Sequence, residues 1–367
     1  MVDLSDVDGV LQPDDARFMA RALWHAERGR GATTPNPVVG AVITSADGVV
    51  VGVGHHQVAG GPHAEVVALQ AAGARAVGAT LYCTLEPCSH IGRTGPCCVA
   101  VAEGGIRRVV VATGDPFPQV SGQGLAYLRD RGIEVTLGVG RRDARRQNAP
   151  FFRAVELGRP WVQLKVAMSL DGAVAATPGA RTTISGPEAV RWTQRLRGRV
   201  DAIAIGAATA RIDDPLLTAR DVYRHRPLLR VVFDRHVSLS PSSRLAGSID
   251  AGPVIVIAED PAANSVASAR LRDRGVEVLA TDGTVGAGLR ALVARGVHSL
   301  LVEGGPTLQA ACWHAGVVDR VSQLVSDRAL GQDAVRWDVP AWLNEWSPRT
   351  VPLGHDVLME ADVYGTD

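Results

Sequence analysis

His63-Ala64-Glu65, then Pro87-Cys88, then Pro96-Cys97, is the stretch whose reading decides this 367-residue chain. One imidazole and two thiolates can hold Zn²⁺ at three corners of a tetrahedron, leaving the fourth for water. The metal lowers the pKa of that water towards neutrality. Glu65, two residues from the histidine, is placed to move protons without ligating the metal. A lone histidine or cysteine usually only packs, but here the three residue pairs agree in type and order. Eight residues separate Cys88 from Cys97, more than the two of a short zinc-binding cysteine pair.

Local patterning supports the site. Pro62 suits the first turn of a helix running to Ala72, Thr80–Thr84 reads as a strand, Pro96 opens a second helix, and Arg107–Ala112 returns as a strand. This rhythm puts His63 and Glu65 in one first turn and Cys97 in another, where helix N-termini favour thiolate over thiol. Cys98 points about 100° round the helix from Cys97 and reads as packing, as does Cys83 in the preceding strand. Upstream, Asp14–Arg28 reads as a helix burying Phe18, Ala22 and Ala26. Val38–Ile43 and Val49–Val53 read as strands joined at Ala46-Asp47-Gly48.

Composition bounds the function. Lys+Arg and Asp+Glu both number 38, so no bulk positive field gathers nucleic acid, and a small-molecule substrate is expected. Four of the five cysteines fall between Cys83 and Cys98, which fits a metal site in a reducing compartment better than a disulfide framework. The acidic start, MVDLSDVDGV, lacks a signal-peptide layout, and no apolar run approaches the ~20 residues that span a bilayer. The expectation is a cytoplasmic protein without a membrane partner.

Periodicity fails between Gly140 and Pro160, where RRDARRQN precedes Phe151-Phe152 and Gly158-Arg159-Pro160. Two domains are therefore expected, 1–148 and 149–367. The second restarts with a strand at Trp161–Ala167 and continues with apolar strands at Ala202–Ile205, Leu229–Phe233, Val254–Ala258 and Ser299–Val302, again an α/β pattern.

The residues between the cysteines, Ser89 to Gly95, narrow the reading. H-x-E followed by paired cysteines is the zinc-deaminase signature. Together PNPVVGAVI, GHHQVAGGPHAE and TLEPCSHIGRTGPCC resemble the deaminase domain of the bifunctional riboflavin-biosynthesis deaminase-reductases. The resemblance runs from about Asp14 to Gly138. It implies a cytidine-deaminase-like fold, zinc held by His63, Cys88 and Cys97, Glu65 as proton shuttle, and a diamino-pyrimidinone ribosyl phosphate as substrate. It further implies that Asn36 holds the pyrimidine while His56, His90, Arg93 and Thr94 line the substrate and its phosphate.

In the second half, Lys165, Ser169-Leu170-Asp171-Gly172, Thr209, Asp213 to Thr218 and Glu303-Gly304-Gly305-Pro306-Thr307 resemble the same family's reductase domain. That resemblance implies a dihydrofolate-reductase-like α/β fold that uses NADPH to reduce ribosyl to ribityl. Ala167, Thr183, Thr209, Asp213, Gly305, Pro306 and Thr307 would contact NADPH. Arg181, Arg197, Leu217, Arg220 and Glu303 would contact substrate, the arginines through bidentate phosphate binding. A homo-oligomer, by default a dimer, is also implied. Departures from the family pattern are Phe117 for an asparagine, Arg181-Thr182-Thr183-Ile184-Ser185 for S-x-W-I-[ST], and Asp327–Gly331 for P-K-L-L-G. They motivate an alternative: a paralogue with deaminase activity alone, or one acting on a related pyrimidine. A nucleic-acid base deaminase and a non-catalytic binding module are the readings from other classes.

Overall fold

In a computed structural model, which describes residues 2–89, 95–117, 120–337 and 348–363, the chain divides into two compact units, breaking between Leu157 and Gly158. The break falls inside the Gly140–Pro160 stretch where periodicity fails, nine residues beyond residue 148. The charged run forms a helix, α5 below, over Arg141–Gln147. Arg145 pairs with Glu156 at 3.0 Å and stacks over Phe152, whose ring lies in the first unit's core.

The first unit has a five-stranded sheet: β1 (Gly40–Thr44), β2 (Val50–His55), β3 (Thr80–Cys83), β4 (Arg108–Val111) and β5 (Glu134–Leu137). Their order is β2-β1-β3-β4-β5, antiparallel across β2-β1-β3 and parallel across β3-β4-β5. Helices α1 (Asp15–Ala26), α2 (Ala64–Ala72), α3 (Cys97–Glu103), α4 (Gln123–Arg129), α5 (Arg141–Gln147) and α6 (Ala149–Leu157) complete it. The α1 stripe Phe18, Ala22 and Ala26 is buried as its spacing predicts. All five β1 residues are buried, so this central strand reads as a continuous, mostly apolar run rather than as alternation.

Two glycines set the height of α2 over the sheet. A Cβ on Gly54 would lie 2.2 Å from the Ala64 carbonyl oxygen, and one on Gly52 2.3 Å from that of Ala68. Without side chains there, α2 settles onto β2 and brings its N-terminus to the sheet's end. Arg108 fixes the other side of the core. Fully buried, it forms a two-pronged pair with Asp15 at 2.7 and 2.8 Å and also meets Glu134 at 3.0 Å. This ties α1 to β4 and β5.

The second unit is built on a nine-stranded sheet. Its strands are β6 (Trp161–Met168), β8 (Ala202–Gly206), β9 (Leu229–Phe233), β10 (Val254–Glu259), β11 (Glu277–Thr281), β12 (Ser299–Gly304), β13 (Arg320–Ser326), β15 (Arg349–Leu353) and β16 (Asp356–Asp362). A short ribbon pairs β7 (Ala173–Ala175) with β14 (Val335–Arg336). The order β11-β10-β9-β8-β12-β6-β13-β16-β15 is parallel from β11 to β13 and antiparallel thereafter. Helices α7 (Pro187–Arg199), α8 (Ala207–Asp213), α9 (Asp260–Ala263), α10 (Val266–Arg272), α11 (Val285–Val293) and α12 (Pro306–His314) supply crossovers. All five apolar strands expected here form. No described helix is long and apolar enough to cross a membrane.

Candidate active sites

His63 caps α2 in an extended conformation (φ −75°, ψ 161°) rather than sitting inside its first turn. The helix starts two residues after Pro62, because an extended His63 swings the ring away from the helix axis. Glu65 does occupy the first turn and is 3% exposed. Cys88 lies just beyond β3, and Cys97 is the first residue of α3. The start of α3 grips the Cys88 loop. The Cys97 N–H donates to the Cys88 sulfur at 3.3 Å, and the Cys98 N–H to the Cys88 carbonyl at 3.1 Å.

These elements bring the three expected ligands together. His63 Nδ1 lies 3.1 Å from Cys97 Sγ and 3.5 Å from Cys88 Sγ, and all three ligand atoms fall within 4.8 Å of one another. A hydrogen bond from Cys97, the largest influence, pulls the Cys88 thiol down to about 4 against the effect of burial. The same bond and burial push Cys97 up, and the bond to Cys88 raises His63. One nitrogen and two sulfurs, with no fourth protein ligand among the described residues, form the donor set of an open zinc site. Burial pushes the Glu65 carboxyl from 4.5 up to about 7. Both of its protonation states are then accessible near neutrality, as proton transfer in both directions requires.

Asn36 and His56 come to the same place. His56 Nδ1 lies 3.0 Å from the Pro62 carbonyl, which can only accept, so Nδ1 carries the proton. Its Nε2 then accepts from Asn36 Nδ2 at 3.1 Å. The His56 and His63 rings meet edge to face, their centroids 5.4 Å apart. His90, Arg93 and Thr94 lie outside the described residues. Cys83 and Cys98 are core residues, as their positions imply.

Glu86 is a residue the sequence reading missed. Buried at 3% exposure, its carboxylate accepts from the N–H groups of Asp115, Gly122, Gly124 and Leu125 at 3.0 to 3.4 Å. It thereby caps α4 and pins the segment carrying Phe117 to the zinc loop. An acidic residue directly before Pro87-Cys88 was the available signal.

In the second unit, the turn after β12 meets Thr209, one of the residues expected at NADPH. The Gly304-Gly305 turn connects β12 to α12 and faces Thr209 on α8. Gly305 has φ 78°, and a Cβ there would lie 2.9 Å from Thr209 Oγ1. This is a cradle only glycine leaves open, at the N-terminus of a nine-residue helix, where phosphate is favoured. The chain thus fits an anionic dinucleotide. Asp213 ends α8; burial raises its pKa, and the positive charge of Arg181 opposes the rise. Ala167 is half-buried on β6, while Arg181, Thr183, Pro306 and Thr307 are exposed.

Two residues expected at the substrate are engaged within the protein. Arg197 is not a free phosphate fork: it donates to both Glu303 oxygens at 2.6 and 2.7 Å and to the Thr218 carbonyl at 2.8 Å. Leu217 is 4% exposed, with its side chain in the core and φ 54°, so its backbone alone can meet a ligand. Lys165 joins the charged group. Burial lowers its pKa while Glu303 supports its charge. Burial tends to raise Glu303, but Arg197 and Lys165 outweigh it and keep the carboxylate ionised. Arg220 is exposed, and its guanidinium has no partner among the described residues.

Fold and sites define a bifunctional enzyme, a zinc-dependent deaminase joined to an NADPH-dependent reductase. Residues 12–113 match the cytidine and deoxycytidylate deaminase zinc-binding region, and residues 160–338 match the RibD C-terminal domain. The riboflavin biosynthesis protein RibD of Escherichia coli is 40% identical over 337 residues, 87% of this chain and 89% of that protein. RibD of Aquifex aeolicus is 39% identical over 324 residues, 88% and 90% of the two chains. Among solved structures, Acinetobacter baumannii RibD superposes with TM-score 0.84 at 34% identity, covering 95% of this chain and 98% of that one. A diaminohydroxyphosphoribosylaminopyrimidine deaminase/5-amino-6-(5-phosphoribosylamino)uracil reductase from Thermotoga maritima gives 0.82 at 32%, with the same coverage. The chain belongs to the RibD family of riboflavin-biosynthesis deaminase-reductases. With both halves matched, the deaminase-only paralogue is not favoured.

Proposed function

We propose that the first unit hydrolytically deaminates a diaminohydroxyphosphoribosylaminopyrimidine, and that the second reduces the ribosyl group of the product to ribityl. The observation that carries this reading is the convergence of His63, Cys88 and Cys97 beside a buried Glu65. When bound by these three residues, zinc supplies Lewis acidity and makes water nucleophilic at neutral pH. Glu65 takes a proton from the attacking water and returns it to the departing ammonia, a role its pKa of about 7 suits. Asn36 spends one of its two amide N–H groups on His56, leaving its carbonyl oxygen to accept from a ring N–H or amino group. His90, Arg93 and Thr94 contact the remainder of the substrate.

In the second unit NADPH, when bound, supplies the hydride. The Gly305–Thr307 turn and Thr209 hold its phosphate-bearing end, with Ala167, Thr183 and Asp213 as further contacts. Arg220, uncommitted within the described chain, takes the substrate phosphate, with Arg181 as a further contact. Arg197 holds Glu303 ionised and in one orientation towards the sugar, beside Lys165. The backbone at Leu217 borders the same position.

A coupled assay tests the whole. Ammonia release and NADPH oxidation are followed in parallel on the diamino substrate, with an expected stoichiometry of one to one. Ammonia without NADPH oxidation, on a preparation that also fails with the deaminated product, would remove the reductase half. Five buried free cysteines support a cytoplasmic, reducing location. The family resemblance supports a homodimer, which light scattering on the purified protein checks.

A further inference from the structure

We propose that Asn148 is a positioning residue for deamination: its buried amide clamps Val38 and fixes the Asn36–His56 wall of the zinc site. The inference rests on the reading of Asn36 as a substrate contact. Asn148 lies at the junction of α5 and α6, 3% exposed. Its Oδ1 accepts from the Val38 N–H at 2.8 Å, and its Nδ2 donates to the Val38 carbonyl at 2.9 Å. A carboxamide offers one acceptor and two donors in the geometry of a peptide, so Asn148 serves Val38 as a strand neighbour would. Val38 needs that substitute, because it precedes β1 by two residues and lies outside its ladder.

The clamp leads straight to the site. Asn36 is two residues before Val38. The next residue, Val39, accepts the His56 N–H at 2.9 Å. His56 in turn bonds Asn36 on one ring nitrogen and the peptide oxygen of Pro62, next to the ligand His63, on the other. Val38 and Val39 therefore carry both members of the wall, and Asn148 is what holds them from behind. The Asn148 backbone is independently engaged in the two helices, accepting from Phe152 and donating to Ala144 at 3.1 Å each. Its side chain is thus offered from a fixed base.

The test uses the full zinc-loaded chain with Asn148→Asp, which keeps shape and acceptor but loses the donor, alongside Asn148→Ala, Asn36→Ala and the double variant Asn36→Ala/Asn148→Asp. Misplacing a binding wall costs roughly ten- to a hundredfold in kcat/KM. The expected result for Asn148→Asp is a KM for deamination raised about tenfold with kcat changed less, zinc stoichiometry retained and NADPH oxidation of the deaminated product unaltered. The double variant is expected to be no worse than Asn36→Ala, because the two act through one contact. Additive losses, an unchanged KM, or loss of zinc in Asn148→Asp would each overturn the positioning role. An unchanged KM in Asn36→Ala alone would instead overturn the reading of Asn36. If Asn148→Ala fails to fold, Asn148→Asp decides.

Discussion

The two sites solve the problem of holding a reactive group in opposite ways. In the first unit, three side chains from the starts of two helices and one loop converge within 4.8 Å, and each offers one ligand atom to a metal. In the second, the cradle is mostly backbone: a glycine turn, a helix N-terminus and a threonine hydroxyl, with a closed Arg197–Glu303 pair nearby. A metal site concentrates its chemistry in a few atoms, whereas a cofactor site spreads binding over many weak contacts. Single substitutions should therefore silence deamination and only weaken reduction.

The largest effect belongs to the zinc ligands. Cys97→Ala is expected to abolish ammonia release and metal binding, while NADPH oxidation of the deaminated product continues. Zinc analysis with both half-assays on one preparation measures this. Acid should act in the same direction, because thiolate ligands must be deprotonated to bind metal. Zinc is held at neutral pH and released as pH falls, and the release should track the loss of deamination rather than of reduction. Equal loss of both activities in Cys97→Ala would break the contrast. Glu65→Gln follows, with kcat for deamination down about 10²- to 10⁴-fold and zinc content unchanged. Retained zinc separates proton transfer from metal binding.

The contrast also governs what could be read from the sequence. His63, Glu65, Cys88 and Cys97 were legible because metal chemistry tolerates few residue types and their order survives in the chain. Glu86 was not, since its four N–H partners lie 29 to 39 residues onward and a carboxylate that caps a remote helix leaves no local pattern. The partner of Arg197 is hidden for a related reason: the carboxylate its guanidinium grips, Glu303, sits 106 residues away. Apolar parallel strands such as β8 and β10 announce themselves, whereas β13 and β16 mix buried with half-buried or exposed positions and β15 has no buried residue, so neither a continuous apolar run nor a clean alternation marks them. The two units part between Leu157 and Gly158, inside the Gly140–Pro160 stretch where periodicity fails; the charges of α5 show no helical pattern until their partners, Glu156 and the Phe152 ring, are in place.

Next in size is the Arg197–Glu303 pair. Its side chains are 15% and 9% exposed, and removing one partner strands the other. Arg197→Ala is expected to destabilise the second unit by about 3 kcal/mol and to depress reduction, with deamination and zinc content intact. Thermal unfolding followed beside both assays checks it. A variant with unchanged unfolding would show that Glu303 finds Lys165 sufficient.

Phe117 is where the smallest change sharpens the comparison most. Its N–H donates to Asp115 Oδ1 at 2.9 Å, and its carbonyl accepts from Val120 and Ser121 at 2.8 and 2.9 Å. The turn is therefore held by backbone, and Glu86 anchors it at Asp115 and Gly122. The side chain, 45% exposed, contributes little to folding, so Phe117→Asn should shift stability by no more than about 0.5 kcal/mol. Asparagine adds a donor and an acceptor that phenylalanine lacks, and one neutral hydrogen bond to substrate corresponds to roughly a two- to tenfold lower KM for deamination. Reduction should not respond. A lowered KM would show that side chains outside the metal cluster set the substrate affinity of the first unit. An unchanged KM would leave that affinity with Asn36 and His56, and make the Asp115–Ser121 turn a purely structural brace for the zinc loop.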